Sequence, residues 1–214
     1  MRIANHEGRL AVVTGPAGRE LAHDVEKHSN GRFGPGPQAV YEDWDAFTSW
    51  ADSARLEGGV PIRPESLGSP APAPRQVFGI GLNYRDHAAE SGLPVPDGDP
   101  PVFTKFPSCI TGPHGDIELP PGGHTDWEVE LVAVVGRRAH RVPAARALEH
   151  VAGYAVGPGY FRTGLAARRP AAAVQPGQVA PRLRAGRPLE GAQGLFSWGP
   201  PRHRRSCTPT ISPP

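Results

Sequence analysis

Two glutamates separated by one residue are the clearest candidates for chemistry in this chain. Glu128 and Glu130 lie in residues 125–136, where alternating side chains and many β-branched residues predict a strand. Residues two apart on a strand face the same side, roughly 6–7 Å apart. Two carboxylates so placed repel each other unless a cation lies between them, and oxygen ligands favour Mg²⁺, Mn²⁺ or Ca²⁺ over Zn²⁺. The alternative is a solvated strand face that binds nothing.

A histidine and a glutamate form a second candidate pair. His87 and Glu90 are three residues apart in a predicted short helix, so they meet on one helix face. A carboxylate that orients an imidazole favours a general base that acts on water. The alternative is an ordinary surface pair. Lys105, one of only two lysines in the chain, is predicted to point inward from a strand over residues 101–108.

The elements around these residues follow from periodicity. Strands are predicted at residues 1–5 and 9–14, joined by a turn. A helix is predicted over residues 41–56, capped by Asp43 or Asp45, with an apolar stripe on one face. That stripe consists of Trp44, Phe47, Trp50 and Ala51.

Further along, the segment 66–74 is rich in proline and predicts an extended linker. Residues 77–90 predict an apolar strand that runs into a glycine-containing turn and then the short helix. Another strand is predicted at 116–120, followed by a glycine-rich turn. A helical turn or two is predicted at 144–150, and a further strand starts at 151–157.

Charge is distributed unevenly along the 214 residues. The net charge is +2, but residues 1–157 carry 14 Lys and Arg against 20 Asp and Glu, a net charge of −6. Residues 158–214 carry nine Arg against Glu190 alone, a net charge of +8. Two different compositions therefore meet near Gly157.

Other features of composition bound the class of protein. Cys109 and Cys207 lie far apart, which favours a reducing compartment and no disulfide framework. The sequence has no apolar run near 18 residues and no basic-then-apolar leader. We therefore expect a soluble, cytoplasmic protein that does not enter a membrane.

Four motifs, in order and at characteristic spacing, resemble the fumarylacetoacetate hydrolase family. They are Gly-Leu-Asn-Tyr-Arg-Asp-His-Ala-Ala-Glu at 81–90, Phe-Thr-Lys at 103–105, Asp-Trp-Glu-Val-Glu-Leu at 126–131 and Val-Ala-Gly-Tyr at 151–154. The resemblance covers about residues 75–157, and residues 1–70 resemble the small N-terminal domain that many bacterial members carry. The fold class it implies is mainly β (α+β): a mixed β-roll, here incomplete, preceded by a small α/β domain.

The resemblance also implies roles for the candidate residues. Glu128 and Glu130 would be two of three carboxylate ligands to Mg²⁺, or to Mn²⁺ or Ca²⁺. His87 with Glu90 would activate water, and Lys105 would contact the substrate. The implied reactions are hydrolysis, isomerisation or decarboxylation of small 2-keto or acylpyruvate-type acids through a metal-stabilised enolate. The intact parent would be a homodimer.

The third ligand of the family is absent from this sequence. In the family, the strand that begins Gly-Tyr-x-Val continues with Asn-Asp or Gln-Asp, and the Asp is the ligand. Here the chain continues Pro158-Gly159 and contains no Asp or Lys afterwards. The Arg/Pro-rich tail, residues 158–214, lacks a core-forming pattern and predicts disorder.

A reading-frame shift at about Gly157 accounts for both the charge break and the missing ligand. Possible codons of the tail, read one base later, accommodate Gln-Asp-Ile-Ser-Glu-Arg-Asp from residue 158. Residues 174–180 accommodate Phe-Ser-Leu-Gly-Lys-Ser in the same way.

We therefore expect three segments, 1–70, 75–157 and 158–214, and impaired activity. The alternative function is a non-catalytic protein whose basic tail binds nucleic acid, which we do not favour, or an acidic partner.

Overall fold

The computed structural model describes residues 1–90, 92–95, 97–119, 125–162 and 196–197. No helix in these ranges is long and apolar enough to cross a bilayer.

The chain opens with three antiparallel strands. β1 (Arg2–His6) pairs with β2 (Arg9–Thr14), and β2 pairs with β3 (Leu21–Asp24). Glu7 and Gly8 turn the chain between β1 and β2 with φ of 53° and 80°. Positive φ at both positions is what a tight two-residue hairpin requires. The two strands and the turn predicted here are confirmed.

Two helices close the core of this N-terminal region. Asp24 is the N-cap of the four-residue α1 (Val25–His28). Asp43 is the N-cap of the ten-residue α2 (Trp44–Ser53), and its carboxylate accepts a hydrogen bond from the Ala46 amide at 3.4 Å. The helix is shorter than the predicted 41–56, because residues 39–42 form a 3₁₀ turn and Ala54 is extended.

The predicted apolar stripe of α2 faces the core. Trp44 and Phe47 are buried, and Trp50 and Ala51 pack against the same cluster from partly buried positions. The Phe47 and Phe33 rings meet edge to face, with centroids 5.5 Å apart.

The predicted linker is tied to this region. β4 (Val60–Pro61) pairs with β3, and β5 (Leu67–Gly68) pairs with β1. Beyond β5, the Asn5 side-chain amide donates to the Ser69 carbonyl at 2.9 Å, and the Tyr41 hydroxyl donates to the Pro70 carbonyl at 3.0 Å. The prolines therefore run along the N-terminal region and not away from it.

A separate two-stranded sheet follows. β6 (Val77–Ile80) and β7 (Val102–Lys105) pair antiparallel, and the short α3 (Arg85–Glu90) lies between them in sequence. A Cβ on Gly79 would lie 2.2 Å from the Phe103 ring, so the ring requires a glycine there. Residues 116–119, predicted as a strand, form none. The prediction was wrong because an extended run becomes a strand only when another strand pairs with it.

The longest strands come last. β8 (Thr125–Val135) and β9 (Val151–Arg162) pair antiparallel over their whole length, with an irregularity at Val134/Val135. A 3₁₀ turn at Ala144–His150 precedes β9. β9 extends past Gly157, so part of the segment predicted as disordered is a strand.

One sheet contains both the N-terminal strands and this hairpin. Its order is β4-β3-β2-β1-β10-β9-β8, where β10 (Phe196–Ser197) pairs with both β1 and β9. Ala152 is fully buried in the core cluster that contains Trp44 and Phe47, and a Cβ on Gly136 would lie 2.6 Å from the Ala152 Cβ. The mostly β architecture is as predicted. Apart from β10, the tail beyond Arg162 lies outside the described residues.

Candidate functional site

Glu128 and Glu130 share one face of β8. Both are partly buried, and they alternate with the exposed side chains of Trp127, Val129 and Leu131. This alternation follows from the two-residue repeat of a strand, which places neighbouring residues on opposite faces. The face shared by the two carboxylates is the one that carries Val134 into the core cluster.

The partner strand is almost bare beside these carboxylates. Gly159 is the cross-strand partner of Glu128, and Gly157 is the partner of Glu130. Directly opposed residues in an antiparallel pair project to the same face, so two glycines flank the two carboxylates. A Cβ on Gly157 would lie 2.9 Å from a Val132 methyl group. Gly157 and Gly159 were visible in the sequence, but their register against Glu128 and Glu130 was not.

The two glutamates supply the donor type that a hard divalent cation prefers, but not the number of ligands. Within the described parts of the chain, no group of three or more His, Cys, Asp or Glu is placed to hold a metal ion. The carboxylates therefore fit such an ion in chemistry and leave its coordination incomplete.

The predicted His87–Glu90 pair lies on α3. Glu90 is exposed, whereas Ala88 between them is fully buried and anchors the helix. The His87 side chain lies outside the described part of the structure, so its contact with Glu90 stays a prediction.

Lys105 ends β7 and is partly buried, as its predicted inward position requires. Its ammonium group lies 6.0 Å from the centre of the Phe103 ring, at the outer limit of a cation–π contact. The structure thus brings Glu128 and Glu130 onto one face, while His87 and Glu90 lie on α3 and Lys105 lies in the two-stranded sheet.

The segment between β8 and β9 carries charged groups that belong to none of the four sequence motifs. Arg137 binds Asp45 of α2 through Nε at 2.7 Å, and Arg146 binds Glu149 at 3.0 Å. The Arg146 guanidinium holds the pKa of Glu149 below its usual range by hydrogen bonding to the carboxylate. The clustering of these charged groups within 137–150 was visible in the sequence, but the ion pairs that Arg137 and Arg146 form were not.

The fold and these side chains define a mostly β protein whose long hairpin carries paired carboxylates. Residues 76–162 match the model of the fumarylacetoacetate (FAA) hydrolase C-terminal family. Residues 76–162 therefore resemble this family, in agreement with the resemblance that the four sequence motifs predicted.

Similar proteins and solved structures agree with the family match. The chain is 57% identical to a "putative hydrolase" of Burkholderia cenocepacia over 82 residues. These residues are 38% of this chain and 29% of the relative. A crystal structure of a "putative HpcE protein" from Mycobacterium smegmatis has a TM-score of 0.71 and 49% identity, over 80% of this chain and 59% of that one.

A more distant structure shares the fold. Maleylpyruvate hydrolase from Sphingobium sp. SYK-6, solved with manganese(II) and pyruvate, has a TM-score of 0.56 and 23% identity, over 77% of this chain and 60% of that one. The chain therefore spans less than two thirds of the length of each of these three proteins.

Proposed function

We propose that this chain derives from a divalent-metal-dependent enzyme that hydrolyses, isomerises or decarboxylates small 2-keto or acylpyruvate-type acids. The observation that carries the proposal is the pair Glu128 and Glu130 on one face of β8, inside the segment that matches the family model. The manganese and pyruvate in the distant maleylpyruvate hydrolase structure belong to the same classes of ligand.

We further propose that the site of this chain is impaired. The cross-strand partner of Glu128 is Gly159, the position at which the family motif, continued from Gly153-Tyr154, has its aspartate. A carboxylate there would lie on the face of Glu128, with Cβ atoms about 5 Å apart. Without this third carboxylate, the carboxylates of Glu128 and Glu130 bind Mg²⁺ or Mn²⁺ weakly. His87, oriented by Glu90, would hold the attacking water, and Lys105 would bind a substrate carboxylate.

Metal binding tests both proposals. We expect weak Mn²⁺ binding and no turnover of acylpyruvates or oxaloacetate by this chain. Gly159→Asp should tighten Mn²⁺ binding by at least tenfold, measured by the free-Mn²⁺ electron paramagnetic resonance signal. Gly159→Asn has the same size without the charge and serves as the matched control, and Glu128→Gln in the Gly159→Asp background should remove the gain.

Two results would contradict the proposals. Tight Mn²⁺ binding or clear turnover by the unmodified chain would show that the site is not impaired. Equal binding by the Asp and Asn variants would show that Gly159 does not face the site.

The origin of the basic tail is tested separately by resequencing codons 150–214. If the shifted frame spells Gln-Asp-x-Ser and Gly-Lys-Ser, the intact parent has the third ligand. If that frame is closed or lacks the aspartate, a binding role for the tail moves ahead of catalysis.

A further inference from the structure

We propose that the segment between β8 and β9 forms a binding site for a dianionic phosphate group, either free or as a phosphate monoester. This site is distinct from the Glu128–Glu130 face. It is an open depression of about 480 Å³, which we call the basic depression. Its lining residues are Arg138, His140, Arg141, Val142, Pro143, Arg146 and His150.

The charges that line the basic depression have one sign. Three arginines and two histidines contribute to it, and no acidic side chain does. Glu149 engages Arg146. Among the described residues, Arg138 and Arg141 have no carboxylate partner. Two guanidinium groups without a carboxylate partner, close in sequence and lining one concave surface, favour an oxyanion because each offers a planar fork of donors.

Hydrogen bonds hold the two ends of this loop together before a ligand arrives. The His150 carbonyl accepts a hydrogen bond from the Gly136 amide at 2.9 Å, which joins the two ends of the segment. Arg137 adds a hydrogen bond to the Glu149 carbonyl and an ion pair to Asp45. A loop whose ends are pinned in this way loses less entropy when it binds.

Two local features point to a ligand and not to a solvated surface. Arg141 adopts a left-handed backbone with φ of 52°, and strained non-glycine residues concentrate at binding sites. The Nδ1 atom of His150 is buried and has no hydrogen-bond partner within the described residues. Buried polar atoms are nearly always paired, so His150, which lines the basic depression, carries a polar atom whose hydrogen bonding is unsatisfied.

Binding of inorganic phosphate to the full chain tests the proposal. Titrations followed by ³¹P NMR at constant ionic strength should show saturable binding. Arg138→Gln and Arg141→Gln should each weaken it roughly tenfold, because each removes a charge-assisted hydrogen bond. Competition by glycerol 3-phosphate then shows whether the site accepts an ester or only the free ion.

Matched charge removals elsewhere separate a built site from general attraction. Arg55→Gln changes an exposed arginine near the end of α2, and Arg204→Gln changes one in the basic tail. Both should leave the affinity unchanged, and circular dichroism should show that all variants fold alike. Non-saturable binding, or equal losses from the control variants, would overturn the proposal.

Discussion

At the scale of single residues, Asp24 shows how one carboxylate serves two structural purposes. It accepts a hydrogen bond from the Lys27 amide at 3.0 Å and so caps α1. It also binds Arg9, with Nε and Oδ2 2.5 Å apart, while the same guanidinium reaches Glu26 at 2.7 Å. Hydrogen bonding to Arg9 is the main reason that the pKa of Asp24 lies below its usual value.

The lowered pKa sets the sign of a pH effect. A carboxyl group that is more acidic in the folded chain stabilises the fold above its unfolded pKa of about 3.9, and this contribution is lost as pH falls. Asp24→Asn retains a good capping residue but removes the charge. We expect it to lower the free energy of unfolding by roughly 0.5–1 kcal/mol at pH 7. Urea unfolding at pH 7 and pH 3 should show this difference shrink on acidification.

Glu65→Gln is the control for Asp24→Asn, because Glu65 is an exposed carboxylate in a 3₁₀ turn. Its effect should be close to zero at both pH values. A difference between Asp24→Asn and the unmodified chain that is the same at pH 3 and pH 7 would rule out the charge as its cause.

The glycines beside Glu128 show the limit of inference from single residues. The pairing of Glu128 with Gly159 depends on how β9 aligns with β8, and this register is set by contacts between residues that are distant in sequence. The two glutamates could be predicted as neighbours because strand geometry is local. The two glycines that lie opposite them could not be predicted.

At the scale of elements, α2 is the main contributor to the core. Phe47 is fully buried and contacts the rings of Phe33, Trp44 and Trp50 at centroid distances of 5.5–5.8 Å. Removing a buried phenylalanine ring costs roughly 3–5 kcal/mol, because apolar contacts are lost and a cavity remains.

Phe47→Ala should therefore unfold the N-terminal region or leave it marginally stable. The change in chemical denaturation midpoint and in tryptophan fluorescence measures this, since Trp44 and Trp50 lie against the ring. Ser49→Ala alters the exposed side of the same helix and should shift the midpoint little. A small effect of Phe47→Ala would mean that the core does not depend on α2.

The elements also show which sequence patterns were reliable. α2 and β8 were predicted because each carries its own periodicity over many residues. The strand predicted at 116–120 is absent from residues 116–119, because so short a run does not specify a pairing partner. The proline-rich segment at 66–74 was predicted as a linker, yet hydrogen bonds from Asn5 and Tyr41 hold it against the first sheet. Those donors lie far away in sequence.

At the scale of the whole molecule, the outer face of the β8–β9 hairpin is apolar and exposed within the described part of the chain. Val129 is 62% exposed, Leu131 is 61% exposed, and Val156, the cross-strand partner of Leu131, is 51% exposed. β8 is also the last strand in the described sheet order. An edge strand with an exposed apolar face promotes association between chains.

We therefore expect the isolated chain to be poorly soluble and to associate at micromolar concentrations. Val129→Thr with Leu131→Gln should raise the soluble fraction several-fold and shift the size-exclusion profile towards the monomer, because both changes lower the apolar area at the edge while leaving the Glu128–Glu130 face intact. Leu148→Gln is the matched control, since Leu148 is 66% exposed but lies in the 3₁₀ turn outside the sheet. If Leu148→Gln improves solubility as much, total surface apolarity drives association and the edge strand has no special part in it. A soluble, monodisperse unmodified chain would contradict the expectation directly.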